Sequence, residues 1–211
     1  KPRSPNGRAR AVHERLKSEY EAICELDHDS PFELLVATIL SAQCTDARVN
    51  KTTPSLFNRY PSPFELAAAN QMDLEKIVHP TGFYKSKAKN LLKMANQLLD
   101  DHEGVVPKEL AELVSLGGVG RKTANVIRSV AFGLPGLPVD THVGRLARRL
   151  GLTEEEDPVK VEMALNPMVP QYERGEFSLR VILHGRQVCF ARNPQCDNCV
   201  LNDFCPAAFD F

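Results

Sequence analysis

A glycine-rich segment directly ahead of a helix constrains this 211-residue chain more than any other feature. Residues 116–126 are Leu-Gly-Gly-Val-Gly-Arg-Lys-Thr-Ala-Asn-Val. Glycines permit positive φ angles and a close approach of the backbone to a ligand, and a helix begins with unpaired N–H groups at its positive dipole end. The segment is therefore predicted to form a hairpin that holds an anion such as a phosphodiester, with contacts from Gly118, Gly120, Arg121 and Thr123.

Two reactive side chains accompany this hairpin. Lys122 lies in the first turn of the predicted helix and supplies an amine, which is a nucleophile when it is neutral. Asp140 follows 18 residues later, in Pro-Val-Asp-Thr-His, and we expect it to converge with Lys122 beside one phosphate. Two simpler roles stay open, because Lys122 also suits a plain phosphate contact and Asp140 also suits the N-cap of a helix starting at Thr141.

Apolar residues recur at spacings of three and four nearly throughout the chain, which predicts an all-α fold. Ser30-Pro31-Phe32-Glu33 and Ser62-Pro63-Phe64-Glu65 each combine a serine cap, a proline and a glutamate, and so predict two helix starts. A break is predicted at 133–138, and residues 1–10 are expected to form a flexible or truncated tail. Further predicted helices are 8–26, 46–59, 74–78, 86–99, 108–115, 120–132, 141–150, 158–169 and 176–188.

The net charge of −1 gives no sign of a nucleic-acid partner, but the charges are unevenly distributed. Residues 121–149 contain six lysines and arginines against the single acid Asp140. A second basic cluster without acids consists of Lys85, Lys87, Lys89 and Lys93. No segment reaches the roughly 18 apolar residues of a membrane span and no signal peptide opens the chain, so we expect a soluble, intracellular protein.

Four of the six cysteines lie close together near the C-terminus: Cys189, Cys196, Cys199 and Cys205, separated by six, two and five residues. Disulfides are disfavoured in a chain without a secretory signal. Structural zinc usually uses two close Cys-x-x-Cys pairs, and only one is present. An iron–sulfur cluster suits four cysteines on an irregular loop equally well, so spacing alone leaves zinc and a cluster open. Cys24, expected in a helix, and Cys44 are predicted to be small buried residues.

Taken together and in this order, the hairpin, Asp140 and the cysteine spacing resemble the endonuclease III family, the bifunctional DNA glycosylases of the helix-hairpin-helix superfamily. The resemblance runs from about Leu16 to Cys205. It includes Ser-Pro-Phe-Glu-Leu-Leu-Val-Ala at 30–37, Leu-Ser-Ala-Gln-Cys-Thr-Asp at 40–46 and Leu-His-Gly-Arg at 183–186. Where the family usually has proline, this chain has Gly117, which predicts a looser hairpin.

The resemblance implies two lobes with DNA bound across the cleft between them. Residues 24–134 would form a six-helix lobe ending in the hairpin motif. Residues 1–23 with 135–211 would form a lobe that holds a 4Fe-4S cluster on Cys189, Cys196, Cys199 and Cys205. A monomer in the bacterial cytoplasm or nucleoid, acting on damaged double-stranded DNA, is the expected form of the protein.

The resemblance also implies a reaction and its residues. Lys122 would attack C1′ of an extruded nucleotide, release an oxidised pyrimidine and cleave the strand by β-elimination, with Asp140 accepting a proton or stabilising charge on the sugar. Gln43 and Phe83 resemble the residues that fill the emptied stack. Their simpler roles are loop bracing for Gln43 and core packing for Phe83.

Three other functions remain possible alternatives. Adenine-DNA glycosylases share the lobes and the cluster, but they generally lack the lysine and carry a further C-terminal domain. Mismatch-type thymine and uracil glycosylases also tend to lack the lysine. A non-catalytic DNA-structure binder has no need of both Lys122 and Asp140. The presence of both residues favours the bifunctional glycosylase over each alternative.

Overall fold

The computed structural model describes residues 1–210 and confirms the all-α prediction, with eleven α-helices and no β-strand among those residues. None of these helices combines the length and apolar character needed to cross a membrane. The helices are α1 Pro5–Glu19, α2 Pro31–Leu40, α3 Asp46–Arg59, α4 Pro63–Ala67, α5 Gln71–Val78, α6 Tyr84–His102, α7 Leu110–Ser115, α8 Arg121–Val126, α9 Thr141–Arg149, α10 Pro158–Leu165 and α11 Arg174–Gln187.

The described chain divides into two compact units. One unit runs from Cys24 to Phe132 and the other joins Lys1–Ile23 to the chain from Gly133 onward. The first contains α2 to α8, which is one helix more than the six-helix lobe that the resemblance implies, because the five-residue α4 counts separately. The resemblance placed its boundary at residue 134, whereas the structural unit ends at Phe132.

In the first unit, α2 forms the centre of the core. All residues from Leu34 to Leu40 are buried, because this helix is apolar on every side. The apolar face of α6, with Leu91, Met94 and Leu98 fully buried, belongs to the same core. Both predicted capping boxes are confirmed as helix starts, since Ser30 accepts from the Glu33 N–H and Ser62 accepts from the Phe64 N–H.

The second unit has its own core, in which α11 packs against both α1 and α9. Leu16, Val143, Leu146 and Phe177 are nearly inaccessible to solvent there. Burial of these side chains stabilises the unit by roughly 2 kcal/mol each. This core holds the start of α9, and therefore Asp140, on a rigid support.

Two predictions near the N-terminus are wrong. The predicted tail 1–10 is largely helical, because Ser4 caps a helix that begins at Pro5 and Ala9 is fully buried. This helix ends at Glu19 rather than at residue 26. Cys24 therefore lies in irregular chain rather than in a helix, and Cys24 and Cys44 are half-buried rather than fully buried.

The predicted helix 120–132 changes its geometry part-way along. It is α-helical over Arg121–Val126 and then forms a π-turn over Ile127–Ala131. The predicted helix 158–169 likewise ends at Leu165 and is followed by a 3₁₀ turn at Asn166–Met168. Sequence periodicity does not separate these geometries, because they differ by less than one residue per turn.

Candidate functional site

The glycine-rich segment forms a tight turn between α7 and α8, as predicted. Gly118 has φ +76°, a left-handed conformation that favours glycine, and a Cβ there would lie 2.9 Å from the Asn90 Cβ. Gly120 is the N-cap of α8, and a Cβ there would meet nothing within 4 Å. Gly120 has no side chain with which to cap α8, so the N-cap residue itself does not engage the first N–H groups of this helix.

Gly117 lies close to α6 and is hydrogen-bonded to it. Its N–H donates to the Gln97 side-chain oxygen at 2.8 Å, and the Gln97 amide donates to the Ser115 carbonyl at 3.0 Å. A Cβ at Gly117 would lie 2.9 Å from the Asn90 carbonyl oxygen. Glycine therefore permits both a close approach to α6 and a hydrogen bond that proline has no N–H to make.

Lys122 lies in the first turn of α8 with its side chain exposed to solvent, so the predicted nucleophile is accessible. Its neighbours Arg121 and Thr123 are half-buried. Ala124 and Asn125 face the core. The helix thus presents Lys122 outward directly after the glycine turn.

Asp140 is the N-cap of α9, which confirms the simpler of its two expected roles. Its Oδ1 accepts from the N–H groups of His142 at 2.8 Å and Val143 at 2.9 Å. Both capping bonds use the same oxygen, so the cap does not engage Oδ2. A capping carboxylate that keeps one oxygen out of the cap retains an acceptor for a proton or for positive charge.

His142, in the first turn of α9, is a packed residue. Its Nδ1 lies 3.1 Å from Arg145 Nη2, and a Cβ at Gly185 would lie 2.9 Å from the same Nδ1. Glycine at position 185 therefore allows the imidazole to pack against α11. Burial lowers the pKa of His142, which keeps the ring neutral at pH 7.

The two residues predicted to fill an emptied base stack share an unusual backbone. Gln43 has φ 53° and Phe83 has φ 47°, left-handed values that are uncommon for residues other than glycine. Gln43 is exposed, in the loop between α2 and α3. Phe83 is 65% exposed at the N-cap of α6, so the core-packing role considered for it does not hold.

Lys87 differs from the other three lysines of the second basic cluster, because it is buried. Its side chain is buried in the unit of α2 and α6, and its Nζ donates to the carbonyls of Leu40 at 2.8 Å and Thr81 at 2.7 Å. Burial lowers the pKa of its ammonium. The spacing along α6 could have indicated this burial. Lys87 is three residues after Tyr84 and four before Leu91, so it lies on the same helix face as these two residues, which pack in the core. The other three lysines, Lys85, Lys89 and Lys93, are exposed.

The four C-terminal cysteines line one cavity in the second unit, and every one of them is free. Apolar side chains such as Leu146, Leu150 and Val188 complete much of the lining. Disulfide pairing, one of the three possibilities that the spacing left open, is therefore absent among the described residues.

The surroundings of these thiols fit a metal cluster bound by thiolates. Arg149 Nη1 donates to Cys189 Sγ at 3.3 Å, and the Leu201 N–H donates to Cys199 Sγ at 3.4 Å. Burial raises the pKa of Cys199 to about 11, so its thiolate needs cationic partners. Metal ions bound by the four thiolates would supply that charge, and N–H donors around the sulfurs would stabilise the remaining negative charge.

Comparison with known protein families gives one match that covers the hairpin and Asp140 and another that covers the four cysteines. Residues 36–171 match the model of the HhH-GPD superfamily of base excision DNA repair proteins. Residues 189–205, from the first to the last of the four cysteines, match the iron–sulfur binding domain of endonuclease III.

The chain belongs to the endonuclease III family.

Full-length relatives support this membership. Endonuclease III of Synechocystis sp. is 50% identical over 195 residues, which are 92% of this chain and 89% of the relative. Endonuclease III of Bacillus subtilis is 46% identical over 87% of this chain and 84% of the relative.

Solved structures agree with the sequence relatives. A trapped endonuclease III–DNA covalent intermediate has a TM-score of 0.91 and 42% identity over 96% of both chains. A non-covalent endonuclease III–DNA complex has a TM-score of 0.91 and 41% identity over 98% of this chain and 97% of that chain. A thermostable thymine-DNA glycosylase, at 21% identity and a TM-score of 0.85, shares the fold.

The protein is accordingly a base excision repair enzyme that acts on DNA as a glycosylase and AP lyase. Its cofactor is a 4Fe-4S cluster, which decides between the zinc site and the cluster that the cysteine spacing left open. The same findings favour the bifunctional enzyme over the non-catalytic binder and the monofunctional glycosylases considered for this sequence.

Proposed function

We propose that this enzyme excises oxidised pyrimidines from damaged double-stranded DNA, with Lys122 as its nucleophile and Asp140 as its essential carboxylate. The observation that supports this proposal most directly is the exposed amine of Lys122 in the first turn of a helix that follows a glycine turn. A phosphodiester held by the turn would present its sugar to that amine.

The reaction begins when neutral Lys122 Nζ attacks C1′ and forms a C–N bond. The glycosidic bond breaks, and its electron pair leaves with the base, which takes up a proton. The attacking nitrogen loses a proton, the C1′–O4′ bond breaks as O4′ takes up a proton, and C1′ of the opened sugar becomes a protonated Schiff base. Removal of a proton from C2′ then expels the 3′ phosphate by β-elimination, and water hydrolyses the Schiff base to regenerate the lysine.

Asp140 serves this reaction through the oxygen that its cap does not use. A carboxylate is suited to accept the proton that the lysine nitrogen loses, or to stabilise positive charge that grows on the sugar as the base departs. Its two capping bonds fix the orientation of the side chain, and a fixed carboxylate does not have to reorganise as charge develops.

Four residues of the hairpin hold the DNA backbone in this proposal. The amides around Gly118 and Gly120 donate to a phosphate, helped by the partial positive charge at the start of α8. Arg121 and Thr123, in the first turn of α8, add side-chain contacts to the same strand.

Gln43 and Phe83 occupy the space that the extruded nucleotide leaves. Both side chains are exposed on loops of the first unit, as insertion into a duplex requires. The Gln43 amide offers hydrogen bonds to the base left without a partner, and the ring of Phe83 offers stacking surface.

Cys189, Cys196, Cys199 and Cys205 hold the 4Fe-4S cluster in this proposal. Their convergence on one apolar cavity supports that ligand set. The cluster supplies cationic centres that bind the four thiolates and fix the loop that follows α11. We further propose that the enzyme acts as a monomer in the bacterial cytoplasm or nucleoid.

Borohydride trapping tests the proposed nucleophile. A duplex with one oxidised pyrimidine is incubated with native protein, with Lys122→Ala and with Lys89→Ala, which removes another exposed lysine. Borohydride reduces a Schiff base to a stable amine, so native protein and Lys89→Ala should each give a covalent protein–DNA adduct. Lys122→Ala should give none.

Each other outcome has a definite meaning. Base release without an adduct by the native protein contradicts the lyase step. An adduct that survives in Lys122→Ala contradicts the choice of nucleophile. Binding without base release contradicts the choice of oxidised pyrimidines as the substrate class.

A further inference from the structure

The buried ammonium of Lys87 joins two separate parts of the first unit. One of its acceptors, Leu40, is the last residue of α2, and the other, Thr81, is the last residue of the 3₁₀ turn His79–Thr81. Carbonyls at helix ends have no partner within the helix and carry partial negative charge. A single cation therefore satisfies two helix ends that are 41 residues apart in the chain.

Each of these helix ends leads directly into one of the exposed left-handed residues. Gln43 follows Leu40 by three residues, and Phe83 follows Thr81 by two. Left-handed conformations of residues other than glycine are strained and persist only where the surrounding structure holds them. The hydrogen bonds of Lys87 hold the chain immediately ahead of both residues.

The surroundings of Lys87 argue against a role as a general surface charge. The residue is only 4% exposed, whereas Lys85 and Lys89 on the same helix face solvent. Burial of an ammonium is costly unless hydrogen bonds compensate for the lost hydration. Carbonyls at helix ends are ordinarily satisfied at lower cost, by a glycine C-cap or by water. Capping therefore does not by itself account for a buried ammonium at this position.

We propose that Lys87 is a positioning residue for base extrusion. By holding the carbonyls of Leu40 and Thr81, it fixes the positions of Gln43 and Phe83 relative to each other, so that both side chains enter the duplex together. This inference rests on the insertion roles proposed for Gln43 and Phe83. It assigns to Lys87 no contact with DNA and no part in the chemistry at C1′.

The test compares Lys87→Met, which keeps length and bulk but removes the donors, with Lys89→Met as the matched control on the same helix. Single-turnover excision is measured on a paired duplex and on a duplex whose damaged nucleotide lies opposite a one-nucleotide gap. In the gapped duplex no base lies opposite the damaged nucleotide. Extrusion therefore leaves no unpaired base for Gln43 to contact, and correct insertion has less effect on the rate.

Lys87→Met should lower the excision rate on the paired duplex about tenfold or more, because small misplacements of positioning groups are costly. Its rate on the gapped duplex should stay within about twofold of native, and Lys89→Met should not change the ratio of the two rates. Gln43→Ala should reproduce the same pattern, and the double variant should lose less than the product of the single losses. An equal loss on both duplexes would overturn the proposal, since that is the result of simple destabilisation.

A readout without chemistry separates this inference from the proposed reaction. 2-Aminopurine placed opposite the damaged base becomes fluorescent when it loses its stacked partner, whether or not the base is cut. Native protein should raise this fluorescence and Lys87→Met should raise it several-fold less. A native protein that gives the signal but no trapped adduct would contradict the proposed reaction alone, and an unchanged signal in Lys87→Met would contradict this inference alone.

A second variant covers the case in which Lys87→Met does not fold, as judged by circular dichroism. Lys87→Arg keeps the charge and the donors but carries them on a longer, planar group. It should also lower the paired rate and the 2-aminopurine signal while sparing the gapped duplex. An unchanged ratio of rates in a folded Lys87→Arg would overturn the proposal.

Discussion

The helices α8 and α9 begin in opposite ways. α8 starts at Gly120, which has no side chain to cap the helix. α9 starts at Asp140, whose Oδ1 accepts from two of its first N–H groups. The N-cap of α8 has no side chain to engage the first N–H groups of its helix, and the N-cap of α9 uses these groups to orient a carboxylate.

The N-terminus of a helix can therefore serve two chemical purposes, the binding of an anion and the fixing of a side chain. A helix start without a side-chain cap, after a tight glycine turn, suits an anion that arrives from outside, because the amides are already aligned. A capped start suits a side chain that must not move. The capped start of α10, where Asp157 Oδ1 accepts from Val159 and Lys160 N–H groups at 3.0 Å, provides an internal reference without a proposed catalytic role.

The largest expected effect comes from Asp140→Asn, which separates capping from chemistry. Asparagine caps helices about as well as aspartate, so the free energy of unfolding should change by less than about 0.5 kcal/mol. Base excision should fall roughly 10²- to 10⁴-fold, because the carboxylate is lost. Urea unfolding and single-turnover excision measure the two quantities.

Asp157→Asn is the matched control, since it makes the same change in a cap with the same hydrogen-bond pattern. It should leave both stability and excision nearly unchanged. A comparable fall in excision for the two variants would contradict a catalytic role that is specific to the Asp140 carboxylate.

Alanine variants of Gly118 and Gly120 test two separate properties of the α8 start, the backbone strain at Gly118 and the close approach of a phosphate at Gly120. Gly118→Ala should lower the free energy of unfolding by about 2 kcal/mol, because φ +76° is unfavourable for alanine and its Cβ would crowd Asn90. Gly120→Ala should cost less than about 1 kcal/mol, since φ −90° is ordinary and the space is open. Gly120→Ala should nevertheless weaken binding to duplex DNA if a phosphate approaches that backbone.

Urea unfolding and DNA titration at fixed salt test both glycine variants. Equal stability of the two variants would contradict the strain assigned to Gly118. Undiminished DNA affinity in Gly120→Ala would contradict the close phosphate approach at the uncapped start.

The smallest expected effect concerns the attachment of the hairpin to α6. Gln97→Ala removes the acceptor of the Gly117 N–H and the donor to the Ser115 carbonyl, and should cost about 1 kcal/mol. Asn96→Ala is the control, because Asn96 is exposed and its amide donates to Leu92 within its own helix. Thermal unfolding should show a lower midpoint for Gln97→Ala than for Asn96→Ala, and equal midpoints would mean that Gln97 does not hold the hairpin.

Local signals predicted a good part of the fold. Helix α3 has the predicted bounds, and serine–proline pairs marked the starts of α2 and α4. Such signals succeed because a cap, a proline and a glutamate act within one helical turn. The expected tail over residues 1–10 was wrong, although Ser4 and Pro5 form the same local start signal. The stretch is basic and has few apolar residues, and Ala9 and Val12 are buried only in a core formed by distant chain.

The predicted site residues divide in a similar way. Lys122 and Gln43 are exposed, and Asp140 begins a helix, as their motifs indicated. The motif left Phe83 open between insertion and core packing. Lys87 was grouped by charge with Lys85, Lys89 and Lys93, and charge alone does not reveal which lysine of a helix faces the core. The nature of the cofactor was undecided by cysteine spacing, since zinc and iron–sulfur clusters use the same thiolates.

The sequence by itself determined the all-α fold, most helix starts, the glycine turn before Lys122 and the set of four cysteines, because each depends on residues close together in the chain. Only the tertiary structure decided the orientation of Asp140, the attachment of Gly117 to Gln97, the exposure of Phe83 and the burial of Lys87 against Leu40 and Thr81. Hydrogen bonds and burial between distant segments exist only after the chain has folded, and no local pattern specifies their geometry.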